Sequence, residues 1–593
     1  MKFTSPVFLA ALTMAMSHQA IAEEQSPIIV TATRTAQTAD DSLASVTVIT
    51  EEQIAQQQVN DLRQLLTSIS GIDMTNNGGL GKATSMFMRG TSSSHVLVMI
   101  DGIKVGSATN GNVAFQHIPV NQIERIEIVR GPRSSLYGSE AVGGVIQIFT
   151  KKGKQQEHAH FEIGYGTYET NILNAGVSGK SGSTSYSINA NHLKTKGFDT
   201  KDDAETDNDG YDNNSVSFNV AHQISKSSSL QLNTMRASGH TAFDGFYNNN
   251  DYVQQITGLQ YTASPLTNWN MKLNVSESRD ESDNFSGLTF QTRYNTTRTS
   301  YTWQNDINIG TNQIFTIGAD YQNDEVESTT IYNESSRDNV AGFIQHQWNG
   351  SNSDLQIALR NDDNQAFGTY TTGNIALGYN FARGTRLIAS YGSAFKAPTF
   401  NDLYWPDTGF GGGDPTLKPE ESKTTEIELR KTHSWGKTSV SVYNTQIDNL
   451  ISGWPPTNVN KAEINGIEVR LNTVLAGWNT QAEISVLDPR DKDSDKILQR
   501  RSQQSLRLNM DKTAGKWSAG FSFIGQGYRY DDTANLNKIS GYGIVNIRAS
   551  YAFSKKTSIK WKIENLLDKK YETALGYNNA GVNGVISIVY QGF

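Results

Sequence analysis

Along most of this chain apolar and polar residues alternate one by one. Phe161, Ile163 and Tyr165 alternate with Glu162 and Gly164, and Val216, Phe218 and Val220 with Ser217 and Asn219. Further on, Val545, Ile547, Ala549, Tyr551 and Phe553 alternate with Asn546, Arg548 and Ser550, and Ile559, Trp561 and Ile563 with Lys560 and Lys562. A period of two gives a strand one apolar and one polar face. The pattern runs from about residue 155 to 593 without a break into domains, its strands separated by Gly, Asn, Asp and Ser clusters. A soluble β-sandwich alternates in the same way but spans only ~100 residues. Aromatic residues recur near strand ends, and tight connections alternate with long polar ones, as in an outer-membrane barrel. Residues 155–593 are therefore predicted to form an all-β transmembrane barrel, apolar towards lipid and polar towards its lumen. Lipid offers no hydrogen bonds to a backbone, so the sheet has to close. About 22 antiparallel strands, as in large plugged transporters, leave about 20 residues for each strand and its connection.

The preceding segment reads differently. Residues 1–22 have the form of a signal peptide: Lys2, an apolar run from Val7 to Leu12, and Ala20-Ile21-Ala22 at the cleavage point. The apolar run is too short to cross ~30 Å of hydrocarbon. Residues 23–154 read as a small α/β module. Thr50-Glu51-Glu52-Gln53 is a capping box opening a helix, and Asp61–Leu66 starts a second helix ended by Ser70-Gly71. Ser85–Met88, Val96–Ile100 and Ile126–Val129 read as short buried strands.

Composition then narrows the function. The chain has 593 residues, 51 Lys and Arg against 59 Asp and Glu, a net charge of −8 and no cysteine. The acidic balance opposes a nucleic-acid partner, and the missing cysteine removes disulfide scaffolds, thiolate nucleophiles and Cys-based metal centres. A mean hydropathy of −0.49 suggests a soluble protein, but a barrel with a wet lumen accounts for it equally well. The sequence contains no G-x-S-x-G elbow, H-E-x-x-H motif or phosphate-binding loop, so an enzyme is disfavoured.

Four ordered motifs resemble those of the TonB-dependent outer-membrane transporters over the whole mature chain. Ser26-Pro27-Ile28-Ile29-Val30-Thr31-Ala32 resembles the Ton box. Val129-Arg130-Gly131-Pro132-Arg133-Ser134-Ser135-Leu136-Tyr137-Gly138 resembles the plug signature, and Tyr391–Pro398 with Leu417-Lys418-Pro419-Glu420 the mid-barrel one. Ile563–Tyr571 resembles the C-terminal signature. Asn76-Asn77-Gly78-Gly79, Phe87–Thr91, Ser94–Gly102 and Thr206–Gly210 are similar to the branch that imports cobalamin. The resemblance implies a monomer in outer-membrane lipid, with residues 23–154 as a plug inside the barrel. It also implies a corrinoid ligand outside and TonB, driven by the inner-membrane proton gradient, as the partner.

Several sites follow. The Ton box is β-prone, and an extended segment there either adds to the edge of a partner's sheet or serves as a first plug strand; the resemblance favours the former. Glu205, Asp207 and Asp209, followed by Gly210, have the oxygen spacing of the first half of an EF-hand loop. The twelfth position, however, is Val216, so further ligands have to come from elsewhere. Such a stretch is either a solvated acidic loop or part of a hard-cation site. The resemblance implies two structural Ca²⁺ ions, held with Asp199, Asp244, Asp251 and the backbone carbonyl of Phe243. It places ligand contacts at Ala83, Ser85, Ser92, Thr109 and Asn110 in the plug and at Gly245, Thr292 and Arg500 in the barrel. Ala534 and Thr109-Asn110-Gly111 depart from that branch. Arg89, Arg125, Arg130 and Arg133 are expected to pair with wall carboxylates, and His95 to be a satisfied plug histidine. No histidine lies between Thr399 and Asp414, which disfavours haem as cargo. A ferric siderophore is the alternative cargo, and a passive porin is the alternative class.

Overall fold

The computed structural model describes residues 29–30, 34–35, 37–203, 205–407, 409, 411–458 and 461–592. The expected signal peptide lies outside the described residues, as do Ser26, Pro27, Ile28, Thr31 and Ala32 of the Ton box.

The leading module is built on a five-stranded sheet. Its order is Val46–Thr50, Ile123–Arg130, Gly144–Thr150, Val96–Ile100, Ile103–Val105. Val96–Ile100 and Gly144–Thr150 run parallel; the other pairs are antiparallel. The helix Glu51–Gln57 opens on the expected capping box, Gln53 N donating to Thr50 Oγ1 and Thr50 N to Gln53 Oε1. The second helix, Leu62–Thr67, is capped by Asp61 and ends ahead of the expected Ser70-Gly71. The Ser68 hydroxyl takes the Leu65 carbonyl, and Gly71, at φ +76°, turns the chain into the next strand. Leu62, Leu65 and Leu66 are fully buried against Ile126, Ile128, Ile146 and Ile148. Truncating any of these leucines to Ala costs about 2–5 kcal/mol. An antiparallel hairpin, Ile72–Asn76 with Thr84–Met88, carries the apex of the module.

Twenty-two antiparallel strands in sequence order form the closed barrel. The first, His158–Gly166, pairs with the last, Asn583–Gly592, so no edge remains. Short turns such as Gly182-Ser183 lie at the end where the barrel chain starts and stops, and long loops such as 196–210 and 397–419 at the other. Parity works as predicted. Phe161, Ile163, Leu359 and Leu377 are 43–53% exposed on the outer face, an apolar belt that water would not tolerate but lipid does. Tyr379, Phe381, Trp435, Trp517 and Phe553 flank the short turns as an interfacial girdle. The module fills the lumen as a plug. Where its apical loop meets the wall, Gly81 lies at φ +76°, and a Cβ there would fall 2.1 Å from the Tyr211 ring.

Candidate functional site

At the long-loop end the plug apex and the barrel loops form one surface. Ala83 and Asn110 are exposed there, Ser85 and Ser92 are half-buried, and Thr109 is buried. Ser92 Oγ accepts from the Arg501 guanidinium at 3.2 Å. The apical loop is clasped by the wall: Phe400 N donates to Ala108 O at 3.1 Å and Asn401 N to Thr109 O at 2.9 Å. Beside it Trp405 stacks on Tyr294 and meets Tyr332 and Trp454 edge-on, forming an aromatic rim. Among the barrel residues singled out, Gly245 is exposed, the Thr292 hydroxyl accepts from Asn284, and Arg500 is held by Asp531 at 2.8 Å.

The two acidic loops converge. Asp199, Asp209 and Asp244 each offer a carboxylate oxygen, all within 4.8 Å of one another. Thr200 binds the pair together, its hydroxyl lying 2.6 Å from Asp209 Oδ2 and 3.0 Å from Asp244 Oδ2. Burial, together with Asp209, Asp203 and Asp199, pushes the Asp244 carboxyl up to about 6. Desolvation, with Asp209 and Glu205, also raises Asp207. The cluster therefore concentrates hard oxygen donors whose charge is incompletely balanced, a donor set that fits Ca²⁺. Glu205 stands at the rim, where Asn248 of the second loop donates to it at 3.1 Å. Phe243 N bonds to Asn248 O across that loop. Asp251 does not join the cluster. It sits on the outward face of Asn249–Leu266 and pairs with His240 at 2.7 Å.

Lys82, which the sequence reading passed over, lies between this cluster and the apex. It is buried, and its ammonium donates to Leu80 O, Gly210 O and Thr241 Oγ1 at 3.1–3.3 Å. Burial brings it down to about 8, although Asp209 and Asp244 act in the opposite direction.

At the opposite end Ile29–Val30 pair antiparallel with Gln37–Thr38. Between them Arg34 is anchored to the wall, another feature without a sequence signal. Arg34 binds Asp320 at 2.9 Å, and Asp320 also holds Arg360 at 2.5 Å. The Arg34 guanidinium lies over Phe343 and Tyr137, and Lys272 and Gln304 donate to its carbonyl. The plug arginines divide. Arg89 pairs with wall residues Glu426 at 2.8 Å and Glu468 at 3.1 Å, and Arg130 lies 3.8 Å from Glu468. Arg125 instead stays within the plug, on Glu127 and the Phe149 ring, and Arg133 donates to Pro132 O. His95 is satisfied by Glu420 of the wall at 2.5 Å.

A barrel stoppered by its own leading module, with a β-paired segment tethered beneath it, defines a gated outer-membrane receptor. The sequence matches the TonB dependent receptor-like β-barrel family over residues 158–566 and the TonB-dependent receptor plug domain over residues 38–145. The chain belongs to the TonB-dependent receptors of the bacterial outer membrane, transporters rather than enzymes. It is 35% identical to the vitamin B12 transporter BtuB of Photobacterium profundum over 96% of each chain. Identity to the BtuB of Vibrio vulnificus is 32%, over 96% of this chain and 95% of that one. The ferric enterobactin receptor PfeA of Pseudomonas aeruginosa superposes with a TM-score of 0.81 at 18% identity, over 93% of this chain and 98% of that one. The siderophore receptor PirA of Acinetobacter baumannii gives 0.82 at 18%, over 94% and 100%. At 18% identity these last two likenesses speak for the fold alone.

Proposed function

We propose that this receptor imports cobalamin or a related corrinoid, drawn through the barrel by TonB acting on the Ser26–Ala32 segment. The observation that carries the cargo is the near-full-length similarity, at 32–35% identity, to proteins named vitamin B12 transporters. The plug apex is chemically consistent with it: Ala83, Ser85, Ser92, Thr109 and Asn110 are small or hydrogen-bonding groups, suited to a bulky ligand rimmed by amides. Gly245, Thr292 and Arg500 would complete the contact from the barrel. Calcium belongs to the same reading. Asp199, Asp209 and Asp244 would hold one ion, with Glu205, Asp207 and the Phe243 carbonyl available to a second. Bound Ca²⁺ would neutralise mutually repelling loops and pin them before the ligand arrives. Asp251, held by His240, is the weakest member of the expected set. A single chain closes the barrel, so a monomer suffices.

Titrating the purified protein with a panel of corrinoids and ferric siderophores tests the cargo. Cyanocobalamin is expected to bind tightly, and chelation of Ca²⁺ or Asp209→Ala with Asp244→Ala to weaken it by about tenfold or more, roughly 1.4 kcal/mol. Binding of siderophores alone overturns the cargo, and undiminished binding in the double variant overturns the role of calcium.

A further inference from the structure

We propose that cargo leaves along a seam on one side of the plug, and that the segment Gln57–Gln64, the turn between the plug's two helices with the helix ends that flank it, is the septum closing it. The seam lies between the plug and barrel strands Tyr542–Ala552, Thr557–Glu564, Asn583–Gly592, His158–Gly166, Thr170–Ser181 and Thr184–Thr195. This proposal rests on the transport reading above and adds the route.

Two cavities occupy that side. The upper, about 130 Å³, reaches the apical residues Gly78–Leu80 and the acidic-loop residues Thr200 and Asp209. The lower, about 450 Å³, reaches Lys151, Lys154 and Gln591 at the end with the short turns. Val59, Asn60, Lys562 and Val585 line both, so the two meet at the chain joining the plug's two helices. Together they run from the ligand-facing surface to the periplasmic mouth.

On this side the plug's side-chain donors are neutral amides, one of which meets a wall carboxylate, Glu564. Gln58 Nε2 donates to Ala549 O at 3.1 Å, and Gln64 Nε2 to Glu564 Oε2 at 3.0 Å. Below, Asn121 Nδ2 donates to Asn191 Oδ1 at 2.7 Å, and Gln122 Nε2 to Ser215 Oγ at 3.1 Å. The wall here offers Asn174, Ser187 and Asn189 to the lower cavity. Amide and hydroxyl contacts exchange readily for water or for the amides of a passing solute. A corrinoid carries such amides on its periphery. The opposite side is fastened by ion pairs, Arg89 to Glu426 and Glu468, and Arg298 to Glu140. Pulling on the plug therefore yields first at the seam.

The chain has no cysteine, so introduced pairs report cleanly. Asn121→Cys with Asn191→Cys locks the seam. Ser139→Cys with Ala397→Cys, where Ser139 Oγ meets Ala397 N at 2.9 Å, locks the far side. The seam disulfide is expected to lower TonB-dependent uptake of cyanocobalamin by about tenfold or more, as a blocked gate does. Surface binding should stay unchanged and reduction should restore uptake, while the far-side disulfide leaves uptake intact. Uptake unaffected by the seam disulfide overturns the route. So does loss of uptake with both disulfides, which means that the plug leaves as one body. If cyanocobalamin does not bind the reduced variants, the cargo reading falls and the route is scored without it. Energised TonB should then accelerate reaction of Asn60→Cys with an external impermeant maleimide, and unchanged labelling overturns the seam.

Discussion

The barrel's inner wall grips the plug in two ways. On the strands Thr289–Ile309, Gln313–Ser328, Glu420–His433 and Lys461–Leu475 the grip is ionic. Arg298 meets Glu140, Asp320 meets Arg34, and Glu426 and Glu468 meet Arg89. On Thr170–Ser181, Thr184–Thr195 and Tyr211–Ser225 the buried polar residues are amides and hydroxyls, such as Asn174, Asn189, Asn213 and Ser215. Buried ion pairs are costly to separate and fix orientation, whereas neutral hydrogen bonds are individually weak and replaceable. The plug is thus hinged on its charged side and releasable on the other, a division of labour that suits a stopper which has to seal and then yield.

The contrast can be tested one contact at a time. The largest effect is expected from Glu468→Ala, which strips Arg89, Arg130 and Arg470 of a shared buried carboxylate. Unfolding in detergent should show a loss of about 3–5 kcal/mol; a neutral result would remove the ionic anchor. Asp320→Asn should come next. It weakens the tether of Arg34 by about 1.5–3 kcal/mol, read as faster amide exchange across Arg34–Thr38. Unchanged protection there would mean that the strand pairing of Ile29–Val30, not the ion pair, holds the segment. Asn121→Ala should do least, about 0.5–1.5 kcal/mol in the same unfolding assay. A cost equal to that of Glu468→Ala would erase the distinction between the two sides.

Legibility in the sequence followed periodicity. Wherever residues lie on strands, parity alone determines direction, so the lipid face of Phe161, Ile163 and Tyr165 and the inward face of Lys560 and Lys562 could be read directly. The capping box at Thr50 was equally legible, because its two hydrogen bonds are local. Parity also explains Asp251, an acidic residue near the metal-like loop but on a strand position that faces outward. Loops have no such rule, and the convergence of Asp199 with Asp209 and Asp244 depends on the pairing of distant strands. Lys82 and Arg34 had no local signal. Each is a lone cation in an irregular segment whose partners, Gly210 and Thr241 or Asp320, lie more than a hundred residues away. Arg125 and Arg89 look alike in sequence, yet only Arg89 reaches the wall, because Arg125 is retained by Glu127 two residues along its own strand.

In the proposed function TonB pulls the plug open to admit a corrinoid, and labelled cyanocobalamin separates binding from entry. Cells relying on this receptor should bind and accumulate it, whereas cells carrying Ile29→Pro, which lacks a donor for strand addition, should bind it equally and accumulate none. Accumulation by the Ile29→Pro variant at the unaltered rate would contradict the account.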